Sequence, residues 1–401
     1  MDFSFSDDQL AIRDAARAFA QGKLAVGAAQ RDADESIPAE MIQALADAGY
    51  LGGVIPERYD GAGLDYVSYA VLLEELSRVD HSLACLASFP SGLCGGGILR
   101  YGSEELKDKY LGGFCRGELL GAAAVTEPGS GTDVAGMRTT CRRVNDGYVI
   151  NGSKMWISNL EHARWFITFG RLIENGDRGP VCAFIVDRDL DGVDAAPVKN
   201  KLGFRPLSSG EVVFDDVHVP SSHLIGEEGD GFAVAMTAVE NGRLGVASRA
   251  VGVLAGVVEE VTDYARTRET FGNPIGSYQL VQSKVADMVL GLETARLLTY
   301  RLASLKDAGH ERLRTESSLA KMHASDALMR ASVDAAQIFG AYCASPEYPI
   351  SRHLRDAKIF QIVEGSNDLH KLLIAEQQLG LRSSERARSQ TPAEAPVGAA
   401  S

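Results

Sequence analysis

"VQSKVADMVLGLETARLLTYRLASL", residues 281–305, decides the architecture of this chain. Val281, Val285, Met288, Leu292, Ala295, Leu298, Leu302 and Leu305 fall in alternating steps of three and four, so they line one side of an α-helix as an apolar seam. A seam of that length needs helical partners of similar length, which predicts a bundle. The helical period extends over the chain from about Gly231, and "TFGNPIG" (270–276) and "SPEYPI" (345–350) break it into three or four helices.

Upstream the texture changes. From Leu119 to about Ile225 short β-rich runs ("YVINGSKMWIS", "WFITFGRL", "VCAFIVDR", "GEVVFDDVHVP") alternate with Gly, Asn, Asp and Pro. Within the first, Asn151-Gly152 suits a tight hairpin turn because both residues tolerate positive φ. Before about Arg116 the segments "DDQLAIRDAARAFA", "AEMIQALADAG", "YVSYAVLLEELSRV" and "SEELKDKYL" again space apolar residues three and four apart. The expected fold is α+β, with an N-terminal helical domain (1–118), a small, largely antiparallel middle β domain (119–228) and a C-terminal four-helix bundle (229–383). The Pro/Ala-rich residues 384–401 are expected to be a disordered tail.

The whole chain excludes several functions. Its 401 residues carry 40 Lys and Arg against 54 Asp and Glu, a net charge of -14 with no long basic run, which argues against a nucleic-acid partner. No apolar stretch is long enough for membrane insertion, and the acidic, amphipathic N-terminus resembles neither a signal nor a transit peptide, so a cytoplasmic protein is expected. The six cysteines form no CxxC pair and the histidines are isolated, which predicts neither a disulfide framework nor a metal site. There is no GxSxG elbow and no Walker A sequence. Gly129-Ser-Gly131 opens like a dinucleotide fingerprint, but Val134 stands where its third glycine belongs.

Four stretches remain, each with two readings. "AAAVTEPGSGTDVAG" (122–136) could turn N–H groups and hydroxyls toward an anion, or be an ordinary loop. In "GSKMWISN" (152–159) Trp156 and Ser158 share a strand face by their spacing and could flank a flat aromatic cofactor, or Trp156 could pack in the sheet core. "RTRETFG" (266–272) offers Arg268 to grip a pyrophosphate and Phe271 to cover a ring, or simply a cation at a helix C-terminus. In "KIFQIVEGSNDLHK" (358–371), Glu364 is either a helix-end acid, with Ser366 or Asn367 as cap, or a carboxylate in an apolar lining whose raised pKa makes it a base.

Taken in order, "VTEPGSGTD", "NGSKMWISN", "RTRETFG", "QIFG" and "RDAKIFQIVEGS" resemble the flavin-dependent acyl-CoA dehydrogenase family, over about Phe5 to Leu379. The resemblance implies noncovalent FAD in a homotetramer, a dimer of dimers. Thr126, Thr132, Trp156 and Ser158 match residues around the flavin and its phosphates. Arg268, Phe271, Gln337 and Gly340 match residues reaching a neighbouring subunit's FAD, and Ser366 and Asp368 lie where the last loop touches it. Glu364 matches the catalytic base, which takes the α proton while the β hydrogen leaves as hydride to flavin N5, giving a trans-enoyl thioester. Arg243, Val363 and Gly365 match positions near the substrate. Some relatives place the base at the position of Gly242, which here cannot serve.

The resemblance also implies an acyl-CoA or acyl carrier protein thioester as substrate and an electron-transferring flavoprotein as acceptor. The Ala/Gly-rich composition suggests a bacterial source. Val363 replaces a common Tyr, Ala341 a common Gly and Asp368 a common Gln. Members acting on glutaryl thioesters carry an Arg near Ala84, and none occurs here between Arg78 and Arg100, so a dicarboxylate substrate is disfavoured. The rivals are a carrier-protein-linked enzyme of a specialised pathway, with α,β or γ,δ regiochemistry, a same-fold oxidase or hydroxylase, and a non-catalytic helical assembly protein.

Overall fold

A computed structural model describes residues 4–310 and 313–381, so the expected disordered tail lies outside the described residues. The N-terminal part holds helices α1 (Asp7–Phe19), α2 (Ala28–Asp34), α3 (Ala39–Asp47), α4 (Tyr66–Ser77), α5 (His81–Ser88) and α6 (Gly95–Tyr101), then the short α7 (Glu104–Leu106) and α8 (Gly113–Cys115). Local chemistry sets their starts. Ser6 and Gln9 form a capping box at α1, and the Asp65, Asp80 and Ser103 side chains cap α4, α5 and α7. Ser68–Ser77 of α4 is buried throughout, because the helix is enclosed between α1, α5 and the later bundle.

The middle part is a sheet of β1 (Gly121–Ala124), β2 (Thr140–Val144), β3 (Gly147–Ser158), β4 (Trp165–Glu174), β5 (Asp177–Asp187), β6 (Val193–Val198), β7 (Ser209–Pro220) and β8 (Leu224–Ile225). Its order is β6-β7-β3-β2-β4-β5-β8, with β1 beside β4. The pairing is largely antiparallel, but β1 and β2 both run parallel to β4.

The hairpin expected at Asn151-Gly152 is not there. The chain turns earlier, at Asn145 and Asp146, between the paired Val144 and Gly147, and β3 continues through Asn151. Gly152 instead sits at a bulge, with φ 150° and the Thr139 backbone too close for a Cβ. The freedom that makes Asn-Gly a good turn also makes it a good bulge, and cross-strand pairing decided between them.

The C-terminal part packs three long helices, α9 (Gly231–Thr267), α10 (Gln279–Asp307) and α11 (Arg314–Phe339), with two short ones, α12 (Ile350–Phe360) and α13 (Asn367–Leu379). The predicted α10 seam faces inward, with Met288, Leu292, Ala295 and Leu302 buried. The short pair completes the bundle, α12 against α11 and α9, and α13 against α11. Helix α9 crosses between the bundle, α4 to α6 and β5, and its buried face is mostly Gly, Ala, Ser and Val. Small residues let its neighbours approach closely, which brings the α12–α13 connection over its middle.

Candidate active site

The connection from α12 to α13 holds Glu364 in an unusual backbone state. Val363 N–H still bonds Ile359 O, and Ser366 already caps α13 by accepting from Leu369 N–H at 3.3 Å. Between them Glu364 has φ 54° and Gly365 φ 99°. A left-handed glutamate costs on the order of 1–3 kcal/mol and persists only where its surroundings over-determine it. Lys321 of α11, fully buried, donates to Gly365 O at 2.8 Å and to Asn367 Oδ1 at 2.9 Å. Asn367 in turn bonds Ser325 and Asp326, and Arg243 Nε reaches Glu364 O at 3.4 Å.

This grip aims the Glu364 carboxylate at Gly242 of α9. A Cβ on Gly242 would stand 2.0 Å from Oε2, so only glycine leaves room for the acid. Oε2 is buried and has no hydrogen-bond partner. No backbone bond among the described residues engages the Glu364 N–H either. Burial pushes the carboxyl up to about 7, against the opposing pull of Arg249, Arg243 and Lys321. Burial likewise brings Lys321 down to about 7 and, with Arg243 and Lys321 beside it, His370 down to about 3, so His370 is neutral near pH 7.

The Thr126–Thr132 loop is fixed differently. Buried Glu127 accepts from Arg138 N–H (2.6 Å), from Thr139 N–H (2.9 Å) and hydroxyl (2.6 Å), and from the fully buried Lys154 ammonium (2.9 Å). Met155 N–H donates to Thr126 O, tying the loop to the strand segment that carries Trp156. Trp156 does not pack in the sheet core. It lies at a second β3 irregularity with φ 63° and is 58% exposed. The irregularity also defeats simple two-residue alternation, since Lys154, two positions before Trp156, faces inward. Ser158 is half-buried against Ser209, and Thr132 is exposed. Cβ atoms on Gly129 and Gly131 would meet nothing, so the loop's outer side is open.

A third group forms at the far end of α9. Arg268 ends that helix with its guanidinium over the Tyr342 ring, Phe271 has φ 48° and is 91% exposed, and Gln337 and Gly340 lie exposed at the end of α11. Among the described residues no hydrogen bond, ion pair or ring contact joins this group, or Trp156, to Glu364. Val363 packs at the edge of the bundle core, and Asp368 faces solvent beside Lys371.

Sequence reasoning missed the Glu127–Lys154 pair, Lys321 and Arg249. Arg249 left a signal, being a lone charge inside the buried run Leu244–Val257. The exposed Thr132 hydroxyl, the exposed indole and the Arg268 guanidinium, which among the described residues makes no hydrogen bond or ion pair, suit a flat ring joined to a pyrophosphate, so the residues present fit FAD. Among the described residues no group of three or more His, Cys, Asp or Glu is arranged for a metal ion.

Three family models match in order: "Acyl-CoA dehydrogenase, N-terminal domain" over residues 6–118, the middle domain over 122–217 and the C-terminal domain over 229–379. An acyl-CoA dehydrogenase of Bacillus subtilis is 38% identical over 375 residues, 94% of this chain and 99% of the relative. Butyryl-CoA dehydrogenase from Megasphaera elsdenii superposes with a TM-score of 0.90 at 36% identity, covering 94% of this chain and all of that one. PigA with FAD and proline (TM-score 0.90, 31% identity, 96% and 100% covered) and the prolyl acyl carrier protein oxidase AnaB (0.89, 30%, 94% and 100%) also match. The chain belongs to the acyl-CoA dehydrogenase family.

Proposed function

We propose that the protein is an FAD-dependent dehydrogenase that converts a saturated acyl thioester to its trans-enoyl thioester, with Glu364 as the base. The observation that carries this reading is the orphaned Glu364 carboxyl oxygen, buried against Gly242, where burial pushes the group up to about 7. Glu364 takes the proton α to the thioester carbonyl, and its unused N–H is a donor for the carbonyl oxygen as enolate character develops. A base titrating near the working pH combines ionisation with proton affinity. Arg243 and Lys321 hold the loop, Val363 and Gly365 shape the wall beside the base, and neutral His370 packs beneath Gly365. FAD, when bound, supplies the acceptor for the β hydrogen as hydride.

Thr126, Thr132, Trp156 and Ser158 would hold the flavin and its phosphates, with Ser366 and Asp368 closing over it from the α13 start. Arg268, Phe271, Gln337 and Gly340 would reach the cofactor of a second subunit. Leu290, Leu297 and Val333, exposed on α10 and α11, supply apolar surface for a homotetramer. An electron-transferring flavoprotein would accept the electrons, in the cytoplasm. No helix of the described residues is long and apolar enough to cross a membrane. The division at 118/119 and 228/229, with the tail from 384, belongs to the same reading.

A second reading, in which the acyl group rides on a carrier protein, is favoured by the likeness to AnaB. An anaerobic absorbance titration with butyryl-CoA and butyryl carrier protein tests both. Bleaching by either thioester supports the dehydrogenase and identifies the carrier, and a protein that stays yellow with saturated thioesters of any length contradicts it.

A further inference from the structure

Arg249 is a buried cation without an anion. Only 3% of it is exposed, its Nε donates to Gly245 O at 3.1 Å, and its buried Nη1 has no partner. The Cys85 thiol and the Phe360 ring, 5.9 Å from the guanidinium carbon, lie against it, but neither is a counter-ion. The two buried arginines of the N-terminal part are paired, Arg31 with Asp80 at 2.7 Å and Arg78 with Glu75 at 3.1 Å, whereas Arg243, buried on the same helix as Arg249, reaches the Glu364 carbonyl at 3.4 Å. Among the described residues no carboxylate comes within 4 Å of Arg249. A guanidinium stays protonated at any working pH, so leaving one buried and unpaired is expensive unless something arrives to meet it.

Its position says what arrives. Gly242, Gly245 and Arg249 follow one another at three and four residues, so they share a face of α9. At one end of that face Gly242 lies against the Glu364 carboxylate, and a Cβ on Gly245 would stand 3.5 Å from the Tyr69 hydroxyl oxygen and from Ser88 Cβ. Arginine side chains on helices lean toward the N-terminus, and the Gly245 bond holds this one there. The fork therefore lies about one helical turn, roughly 5 Å, beyond the carboxylate. Arg249 is one of three cationic side chains, with Arg243 and Lys321, that pull the Glu364 carboxyl down.

We propose that Arg249 is the recognition site for the far end of the acyl group, and that the substrate is a short acyl thioester, about five carbons long, ending in a carboxylate. The inference rests on the dehydrogenase reading above. It reverses the expectation drawn from the arginine-free interval between Arg78 and Arg100, because the cation comes from a different helix.

The test compares glutaryl-CoA with pentanoyl-CoA, equal in chain length, by anaerobic flavin reduction of the holoenzyme. The wild type should reduce faster with glutaryl-CoA at low concentration by roughly 10-fold to 100-fold, the range of a charge-assisted hydrogen bond, with the difference in apparent affinity. Arg249→Met should abolish that preference, read as the ratio of glutaryl-CoA to pentanoyl-CoA reduction rates within each variant, and Arg249→Lys should restore part of it. A wild-type enzyme reduced by pentanoyl-CoA as well as or better than by glutaryl-CoA overturns the Arg249 assignment alone. An equal loss for both substrates in Arg249→Met, with the wild-type preference absent, makes Arg249 a mere structural charge. A flavin that neither thioester reduces overturns this proposal, and with it the dehydrogenase reading if saturated thioesters of other lengths also leave the protein yellow.

Discussion

Among the carboxylates that this chain withdraws from water, those of Glu127 and Glu364 meet opposite fates. Glu127 is surrounded by donors, and although burial would raise it, the Thr139 hydroxyl, the Arg138 and Thr139 N–H groups and Lys154 hold its carboxyl down at about 2. Glu364 has burial without the donors, and its carboxyl rises to about 7. The same contrast runs through the two buried lysines, Lys154 bound to a carboxylate and Lys321 bound to a carbonyl and an amide. Saturating a buried acid turns it into a fixed anchor, whereas leaving an oxygen unpaired keeps it available for a proton. The β-domain anchor shapes a loop, and the bundle's orphan is the group proposed as the base.

The largest effect comes from removing the reactive partner. Glu364→Gln should retain yellow FAD and lose thioester-driven bleaching by about 10³-fold or more, read by anaerobic stopped flow. Undiminished reduction would move the base elsewhere. Next, Glu127→Gln strands Lys154 in the interior, which should cost about 3–5 kcal/mol, seen as a lowered unfolding midpoint and loss of FAD on dilution. An unchanged midpoint would mean that the pair is not the loop's anchor.

Titration separates the two acids further. Folded Glu364 keeps its proton up to about pH 7, while an unfolded glutamate loses it near 4.5. The unfolded state thus binds fewer protons in that window, and stability falls as pH rises through it. Glu364→Gln escapes that loss, so it should exceed wild type by up to about 3 kcal/mol at pH 8 and by nothing at pH 4.5. Glu127 is depressed, so its contribution is present above about 4.5 and fades as pH falls toward 2. The smallest effect is local to the third group. Arg268→Ala should weaken FAD retention by roughly 10-fold, measured by equilibrium dialysis, and leave the pH profile of reduction untouched.

How much of this was legible varies with the physical signal. The α10 seam and the helix–sheet–helix order were readable because apolar periodicity reports directly on burial. Glu364 was visible as a choice between cap and base. The structure adds that Ser366 does the capping, while Glu364 takes a left-handed backbone two residues earlier. Trp156 and Phe271 share that feature, and such conformations cannot be read from residue type. Asn151-Gly152 was misplaced because a turn and a bulge ask the same freedom of the backbone. Glu127–Lys154 and Arg249 depend on partners 27 positions apart in sequence or, for Arg249, on the absence of a partner. Neither condition has a local pattern.

The most direct test of the central claim is the pH dependence of anaerobic flavin reduction at subsaturating thioester. A Glu364 base titrating near 7 predicts a tenfold rise per pH unit up to about 7 and a plateau above. A rate flat from pH 5 to 9, or a midpoint near an ordinary glutamate's 4.5, would contradict a buried, donor-starved Glu364 as the base.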